Sequence, residues 1–421
     1  MKTLLLVMGA AAVAGTAVAG NVRDFGAVGD GVTDDTAAIQ KAIDAGGVVS
    51  FPRGTYLTGT IYLKSNGGLD IAPDATILAT TDRTKYNPPD VCPQNYGAEV
   101  PGKPHLIMAV EQTNVVIRGG GTIDGNAEAF FGQRRGEYTF NGMGGIRLKK
   151  NPGWQVSQMV AFYECEKVRL QDLNLRNSCF WNCHLFGCEQ VQVRGLNIKS
   201  DPEIAGDDGL DIDCCRHVTV SDCIIDVGDD GITLRANGGK YLKKNRPCEY
   251  VAVANCSVRS AYAHAIRVGV GTGVIRHCTF SNLVMEDTRC AIHMNPLYGE
   301  DGTGVEMDDI SFSDIHATAK MFIFLTLDYK WVGQNRFRGT MENVRFRNVS
   351  GEAKLPVTIR GNGLGVLRNV TWTDSTVRFT DPSSLTDADK RFYMFDPEKP
   401  LGEKIQIDKA ENVVVRNVDV R

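Results

Sequence analysis

The sequence has little excess of charge of either sign. Its 421 residues include 46 Lys and Arg against 50 Asp and Glu, for a formal net charge of −4. An excess this small, and negative, argues against a nucleic-acid partner, which requires a basic surface. With 43% hydrophobic and 23% charged residues, the composition is that of a globular protein, so disorder is not expected.

Long hydrophobic runs are also missing. The one candidate, Leu4 to Ala14, is shorter than the ~20 residues that a membrane-spanning helix needs. Lys2 precedes this run and Ala17-Val18-Ala19 follows it, which is the pattern of a secretory signal peptide. The sequence therefore predicts a signal peptide over residues 1–19, a secreted or periplasmic protein, and no membrane association after signal removal. A membrane anchor is the alternative interpretation.

Cysteine is plentiful, but zinc-ligand spacing is absent. The twelve cysteines include no Cys-x-x-Cys pair with suitably placed histidines, so a structural metal is not expected. Cys223 and Cys256 occupy equivalent places in two similar strands, where we expect stacked core thiols. Other cysteines are candidates for disulfides whose pairing the sequence leaves open, namely Cys179, Cys183, Cys188, Cys214 and Cys215.

A short strand repeat recurs down most of the chain. Its pattern is apolar-x-apolar-x-(Asn/Asp/Gly)-apolar, and its copies begin at Val168, Val191, Val218, Val251, Ile310, Val344, Val370 and Val413. The first spacings, 23, 27 and 33 residues, fit one rung of a parallel β-helix with loops of differing length. We expect the polar step to mark a bend between sheets, where Asn or Asp tolerates a left-handed backbone. A β-propeller is the alternative, but it would need hairpin turns and a period of about 40 residues.

The beginning of the chain has a different pattern. Residues Ala37 to Ala45 place apolar side chains at helical spacing, with Asp35 or Thr36 as N-cap and Gly46-Gly47 after the end. Short β runs begin at Val48. The sequence thus predicts an all-β fold, a parallel β-helix solenoid over residues 20–421 as a single domain, with a short N-terminal helix covering its open end.

Acidic residues gather on two of the predicted strands. Residues 206–213 read Gly-Asp-Asp-Gly-Leu-Asp-Ile-Asp, and residues 228–232 read Gly-Asp-Asp-Gly-Ile. On the predicted register both segments stack with residues 263–269 and 289–296 as adjacent strands of one sheet. Side chains that are distant in the sequence then become neighbours on one face.

This stacking brings Asp208, Asp229, Asp230 and His264 together. Hydrolysis of a glycosidic bond needs one protonated carboxyl group and one carboxylate that activates water, and crowding raises at least one pKa. A lone Asp more often serves a turn, but paired Asp residues on two rungs with a histidine on the next favour catalysis. A calcium site is a second interpretation, which leaves His264 unexplained. The remaining acids of the cluster are interpreted as scaffold: Asp207, Asp211 and Asp213.

These motifs resemble the glycoside hydrolase family that includes polygalacturonases and rhamnogalacturonan hydrolases. The resemblance runs from about Val22 to about Tyr329 and includes the opening segment from Val22, Gly121-Thr-Ile-Asp-Gly, and residues 177–184. Stronger motifs are Asp208-Gly-Leu-Asp, Asp229-Asp-Gly and Ala263-His-Ala, the last standing where the family has Gly-His-Gly.

The resemblance implies a right-handed parallel β-helix that cleaves α-linked galacturonate bonds in pectic polysaccharide with inversion. Asp229 would be the general acid, Asp208 and Asp230 would position and deprotonate the water, and His264 would tune the acid or hold the substrate. No covalent intermediate and no cofactor are implied. The expected partner is a pectic polysaccharide or oligosaccharide, and the expected state is a monomer.

One departure concerns the substrate carboxylate. The family's Arg-Ile-Lys corresponds here to about residues 291–294, without the lysine. Replacement cations would be Arg235, Arg267 and Arg289, each of which could equally be a solvated strand residue. His184 and Trp181 are expected to line the cleft or lie in the core, and Tyr329 resembles a tyrosine beside the substrate.

Three alternatives stay open at this point. Insertions at residues 86–104, 130–158 and 240–247 could close one end of the cleft and give exo action. Rhamnogalacturonan or another acidic glycan is an alternative substrate. A non-catalytic glycan-binding β-helix is the alternative from another functional class.

Overall fold

The computed structural model describes residues 18–87, 104–131, 156–202, 206–237, 242–297, 303–327, 338–392 and 400–421. Most of the predicted signal peptide lies outside this part, so export stays a prediction from the sequence. The strand pairs of the described residues are parallel, from the first pair to the last. Among the described helices, none is long and apolar enough to cross a membrane.

The N-terminal strands and the helices in the described part of the chain have the following bounds. The strands are β1 (Val18–Asn21), β2 (Asp30–Asp34), β3 (Val48–Phe51), β4 (Gly54–Thr58), β5 (Ile61–Tyr62), β6 (Gly68–Ile71), β7 (Ala75–Ala79), β8 (Ile107–Val110), β9 (Thr113–Arg118) and β10 (Thr122–Asp124). The helices are α1 (Thr36–Asp44), α2 (Ala127–Phe131) and α3 (Asp387–Phe392). Short 3-10 turns lie at Val22–Phe25, Arg83–Lys85 and Pro382–Ser384.

The remaining strands continue the coil. The central ones are β11 (Gln158–Tyr163), β12 (Glu166–Gln171), β13 (Asn174–Arg176), β14 (Trp181–Phe186), β15 (Glu189–Arg194), β16 (Asn197–Lys199), β17 (Leu210–Asp213), β18 (Arg216–Ser221), β19 (Ile224–Val227) and β20 (Ile232–Ala236). The C-terminal ones are β21 (Cys248–Ala254), β22 (Ser257–Ser260), β23 (His264–Gly271), β24 (Val274–Leu297), β25 (Glu306–Thr326), β26 (Thr340–Ala353), β27 (Val357–Arg360), β28 (Val366–Phe379), β29 (Ile405–Asp408) and β30 (Glu411–Val420).

Each strand pairs with the strand one coil further along, which produces three faces. One face runs β8–β11–β14–β17–β20–β23 and continues through β24, β25, β27 and β29. The second runs β9–β12–β15–β18–β21, and the third runs β10–β13–β16–β19–β22. The predicted right-handed parallel β-helix is therefore confirmed, and the propeller alternative is wrong.

The polar step of the repeat is a left-handed bend, as predicted. Its residues have positive φ in every copy, with values of 53° at Asp172, 58° at Asp222 and 56° at Asn255. Asn and Asp tolerate this conformation because their short polar side chains bond locally. The side chains also bond along the solenoid, since Asn255 donates to Asp222 over 3.3 Å and Asn282 donates to Asn255 over 2.8 Å.

Helix α1 confirms the predicted N-terminal helix to within one residue. Its apolar face, Ile39, Ala42 and Ile43, is buried in the solenoid core, and Gly46 follows the helix with a φ of 93°. Asp35 stands at the N-cap but makes no capping bond to the helix. Its carboxylate instead accepts hydrogen bonds from the amides of the preceding turn, Val28 and Gly29.

The described cysteines are all buried. Cys223 and Cys256 lie in the core, as predicted, and the pKa of Cys223 is raised, first by its contact with Cys256 and then by burial. Within the described part of the chain, no disulfide joins the candidate cysteines to one another, namely Cys179, Cys183, Cys188, Cys214 and Cys215. Their side chains fill the interior between rungs, where a small thiol packs as an apolar group.

Candidate active site

Four consecutive rungs form the face that carries the acidic residues. Leu210 of β17 pairs with Ile232 of β20, Ile232 pairs with Ile266 of β23, and Ile266 pairs with Ile292 of β24. The side chains of these residues are in the core. The four segments are therefore adjacent strands, which confirms the predicted stacking.

The carboxyl groups of Asp208, Asp229 and Asp230 meet just before these strands. Asp208 and Asp230 stand two residues before the paired Leu210 and Ile232, and one oxygen from each of the three carboxyl groups lies within 4.8 Å of the others. His264 stands two residues before Ile266, and its Nδ1 is 2.6 Å from Asp230 Oδ1. The structure thus brings together the four residues proposed as catalytic.

Asp229 has the environment of a proton donor. Burial, followed by the negative charge of Asp230, raises the pKa of Asp229 to about 6. Its two oxygens accept hydrogen bonds from the amides of Gly206, over 2.9 Å, and Asp230, over 3.0 Å, and these bonds limit the rise. At mildly acidic pH this carboxyl group is therefore largely protonated.

Asp230 is held as a carboxylate by its neighbours. Burial opposes its ionisation, but the interactions with His264, Arg267 and Arg235 outweigh burial and hold the pKa of Asp230 below its ordinary value. Burial lowers the pKa of His264, although the charge of Asp230 acts to raise it. The hydrogen bond can form in either protonation state of His264, because Nδ1 can carry the donated proton in the neutral and the charged ring alike.

Arg235 balances two further carboxyl groups. Its Nη2 is 2.9 Å from Asp208 Oδ2, its Nε is 2.6 Å from Asp211 Oδ1, and its guanidinium lies 4.3 Å above the ring of Trp181. Burial still raises the pKa of Asp208 well above its ordinary value, with repulsion from three other aspartates, and raises that of Asp211 to about 7. Arg235, predicted as a substrate ligand, is thus a counter-ion inside the acidic cluster.

The other acids of the cluster differ in their contacts. Asp207 accepts hydrogen bonds from the amides of Gly228 and Asp229, each over 2.8 Å, and so shapes the turn before β20. Asp213 accepts from the amide of Asn237 over 2.8 Å. These contacts are structural, whereas Asp211, interpreted from the sequence as scaffold, forms the buried ion pair with Arg235.

The other two candidate arginines lie on the next rungs. Arg267 Nη1 is 2.8 Å from His293 Nδ1, and the charge of Arg267 acts on Asp230 and His264. Arg289 forms a buried ion pair with Asp389 of α3 over 3.1 Å. Arg267 therefore stands beside the acidic cluster, while the charge of Arg289 is matched by an acid from the C-terminal segment.

The remaining candidate residues do not lie in the acidic cluster of the described structure. His184 is fully buried, with its ring centroid 5.1 Å from that of Trp181 and 5.4 Å from that of Phe186, so the core alternative describes it. Tyr329 lies outside the described residues, as does most of the three insertions invoked for exo action. His293 lies opposite Arg267 in the strand register, and the sequence did not single it out as a site residue. Strand alternation along residues 289–296 could have indicated its position.

The trio of carboxyl groups could also ligate a cation. Aspartate oxygens within 4.8 Å of one another offer the hard ligands that Ca²⁺ prefers. All three already have partners, since Arg235 pairs with Asp208, His264 bonds Asp230, and the amides of Gly206 and Asp230 donate to Asp229. These contacts favour proton chemistry over metal binding at this place.

Comparisons with known proteins agree with this geometry. The chain is 27% identical over 295 residues to a probable polygalacturonase of Vitis vinifera, which covers 66% of this chain and 57% of the relative. It is 25% identical over 351 residues to an exo-poly-alpha-D-galacturonosidase of Dickeya chrysanthemi, covering 73% and 57%. The chain thus spans less than two thirds of the length of these curated relatives.

The solved structures share the architecture. A hyperthermoactive exopolygalacturonase from Thermotoga maritima superposes with a TM-score of 0.69 at 22% identity, covering 94% of this chain and 91% of the other. The family model described as "Glycosyl hydrolases family 28" matches residues 52–389, which include the strands of the acidic cluster. The chain belongs to glycosyl hydrolases family 28.

Proposed function

We propose that this protein hydrolyses α-linked galacturonate bonds of pectic polysaccharide. The observation that carries the proposal is the convergence of Asp208, Asp229 and Asp230 beside His264 on adjacent rungs. Family membership and the names of two relatives, a probable polygalacturonase and an exo-poly-alpha-D-galacturonosidase, support the substrate class.

Asp229 is the proposed general acid. Its pKa of about 6 leaves a proton available near the pH at which uronate carboxylates are still ionised. Protonation of the glycosidic oxygen by Asp229 would let the bond break without expelling an alkoxide. The backbone amides of Gly206 and Asp230 would then stabilise the carboxylate that remains.

Asp230 is the proposed base that takes a proton from the attacking water. It is the acid of the trio whose pKa is lowered, so it is ionised under conditions in which Asp229 keeps its proton. Asp208, fixed by Arg235, would hold the water, and His264 would hold Asp230. Splitting the pKa values of neighbouring carboxyl groups in this way assigns the acid and the base.

The stereochemical outcome rests on the family resemblance, which implies inversion. Inverting glycosidases usually place their carboxyl groups about 6.5–9.5 Å apart, and retaining ones about 5–5.5 Å apart. Here the nearest oxygens of the trio lie within 4.8 Å. This limit joins single oxygens of three carboxyl groups and is not the acid–base separation to which the rule applies, so the anomeric form of the first product decides the point.

Product analysis on a panel of glycans tests the proposal. Polygalacturonate, rhamnogalacturonan and a neutral pectic glycan would be incubated side by side, with reducing ends, product sizes and the anomeric form of the first product recorded. We expect cleavage of polygalacturonate with monogalacturonate released from the start, and inversion at the anomeric carbon. Early mid-length oligomers would contradict exo action, cleavage of rhamnogalacturonan alone would transfer the activity to that alternative, and no cleavage of any glycan would refute the hydrolase.

The pH dependence of kcat/KM should report the acid. Asp229 acts when protonated, so kcat/KM is expected to fall as the pH rises through about 6. Asp230 acts when ionised, so kcat/KM should also fall when the pH is low enough to protonate it. Because the pKa of Asp230 is lowered, this second fall is expected below the ordinary Asp range. A profile measured on a soluble oligogalacturonate should therefore peak on the acidic side of neutrality, and an activity that still rises above pH 7 would contradict the assignment.

A further inference from the structure

We propose that a polar groove on the second face of the solenoid is an accessory binding site for a chain of acidic sugars. The groove lies outside the candidate active site, so the inference goes beyond the proposed function and rests on it only for the choice of polygalacturonate as the ligand. Three features support this role, namely the lining of the groove, the balance of charge around it and a ladder of rings at its C-terminal end.

The groove is a cavity of about 390 Å³ that crosses four rungs, β9, β12, β15 and β18. Neighbouring parallel strands lie about 4.8 Å apart, so four rungs extend over about 14 Å along the solenoid. Two basic side chains and several uncharged hydrogen-bonding groups line it, namely Lys167, Arg169, Asn114, Gln190, Gln192 and Thr219. A groove of this length fits a short stretch of a chain better than a single ion.

The strand repeat explains why these side chains face outward together. Val168, Val191 and Val218 are the buried residues of adjacent repeats, and the residues on either side of each valine lie on the solvent side. Lys167 and Gln190 occupy the left-handed bends before two of these valines, with φ of 56° and 57°. An amide such as that of Gln190 both donates and accepts hydrogen bonds, as sugar hydroxyls do, so the lining can bind the hydroxyls of a sugar.

The groove carries positive charge that is not paired with acids in the described part of the chain. Arg169 Nη2 donates to Asn114 Oδ1 over 2.9 Å, and this acceptor is neutral. The ion pairs formed among the described residues include neither Arg169 nor Lys167. Both charges are therefore available to a ligand, and they favour an anionic one.

The acids next to the groove have cations of their own. Glu166 lies 3.9 Å from Lys244, and Glu189 pairs with Arg246 over 3.0 Å. Both cations follow β20, and the amide of Lys244 also donates to Glu164, which stands at the bend before β12. The segment that carries both cations therefore lies against the bends between the first and second faces, and it separates the groove from the acidic cluster.

A ladder of stacked rings continues the groove towards the C terminus. His217 lines the last rung of the groove, and its ring stacks on Tyr250 with centroids 5.1 Å apart and planes 8° apart. Tyr250 stacks in turn on His277 with centroids 5.3 Å apart, and 44% of Tyr250 is exposed. Rings with an apolar body and a polar tip can contact the C–H groups and the hydroxyls of a sugar, whereas an inorganic anion has no C–H groups. The ladder therefore favours a glycan over a simple ion.

Binding at the groove would raise the effective concentration of a long substrate at the active site, because the two sites would hold one chain. A short oligosaccharide that occupies the cleft gains nothing from a second site. A polymer and a short oligosaccharide should therefore respond differently to a change in the groove.

Replacing both cations with glutamine tests the proposal. We expect Lys167→Gln/Arg169→Gln to raise KM for polygalacturonate by about 3- to 10-fold with kcat unchanged, since each partly exposed ion pair contributes a small factor. KM and kcat for trigalacturonate should stay at the wild-type values. Binding of polygalacturonate to Asp229→Asn should weaken by the same factor when the two substitutions are added, and this difference should shrink at high salt.

Lys199→Gln/Arg347→Gln is the matched control, because it removes the same charge from exposed positions of β16 and β26. It should leave binding and kinetics unchanged. Poly-L-glutamate, a polyanion without sugar rings, should bind more weakly than polygalacturonate of similar length. Equal binding of the two polymers, an equal loss in the control, or a KM for trigalacturonate that rises as much as that for the polymer would overturn the accessory site.

Failure of the accessory site and failure of the proposed function give different results. Cleavage of polygalacturonate that the groove substitutions do not alter refutes the site and leaves the hydrolase. Groove-dependent binding of polygalacturonate without cleavage of any glycan refutes the hydrolase and leaves the site. Thermal unfolding verifies the fold of each variant, and if the double variant does not fold, Lys167→Gln alone, at an exposed side chain, decides.

Discussion

Replacing Asp229 with Asn is expected to lower kcat by about 10²- to 10⁴-fold, the usual contribution of a general acid. The amide has nearly the shape of the carboxyl group, but its N–H protons are not acidic enough to be transferred to the leaving oxygen. Because the proposed role of Asp229 is in the bond-breaking step, substrate affinity should be largely retained. Kinetics on polygalacturonate and binding of an oligogalacturonate by calorimetry measure the two quantities separately.

Asp222→Asn is the matched control for this variant. Asp222 lies at the left-handed bend after β18, where the next rung has Asn255 in the same conformation, so the same chemical change is tolerated there. Full activity in Asp222→Asn together with full activity in Asp229→Asn would remove Asp229 from the mechanism. A non-catalytic glycan-binding protein would show binding in both variants and turnover in neither, nor in the wild type.

Replacing Arg235 with Leu is expected to cost about 3–5 kcal/mol in the free energy of unfolding at pH 7, the usual effect of removing one partner from a buried ion pair. The reason is that Asp208 and Asp211, both fully packed around Arg235, would be left without their counter-ion. Chemical denaturation of wild type and variant at the same pH measures the loss.

The stability lost in Arg235→Leu is expected to be smaller at lower pH. Burial already raises the pKa of Asp208 and Asp211, and without Arg235 both would rise further. At the same pH the folded variant then binds more protons than its unfolded chain, so the free energy of unfolding of the variant increases as the pH falls. The deficit relative to wild type should therefore be smaller at pH 5 than at pH 7.

Arg259→Leu is the comparison for this prediction. Arg259 pairs with Asp226 over 2.9 Å and with Asp287 over 3.1 Å, but it lies partly exposed on another face of the solenoid. Solvent-exposed pairs contribute about 0–1 kcal/mol, so its loss should be small and nearly independent of pH. Equal destabilisation by the two substitutions would show that Arg235 has no special place in the cluster.

Much of the solenoid could be predicted because it depends on local rules. Asp172, Asp222 and Asn255 occupy the polar step of the repeat, and each adopts the left-handed bend that its side chain tolerates. The parallel coil then converts spacing along the chain into register, which is why Asp208, Asp230 and His264 could be placed on neighbouring rungs. Helix α1 followed from apolar spacing and two terminal glycines in the same way.

The different partners of the three candidate arginines could not be read from the sequence, since Arg235, Arg267 and Arg289 all lie on strands of the same face. Their difference arises from contacts that join separate segments. Arg235 reaches back one rung to Asp211, Arg289 meets Asp389 about 100 residues later, and Arg267 meets the imidazole of His293. No local pattern encodes such partners, because each depends on how far a long side chain extends across the folded surface.

The sequence alone therefore determined the repeat, the bends and the convergence of the proposed catalytic aspartates, since these depend on residue type and on a fixed spacing per rung. Only the tertiary structure decided how charge is distributed among these carboxyl groups and their neighbours. Burial and neighbouring charges raise the pKa of Asp229, lower that of Asp230 and tie Arg235 to two acids. These are effects of distance and solvent exclusion, which exist only after the rungs have stacked.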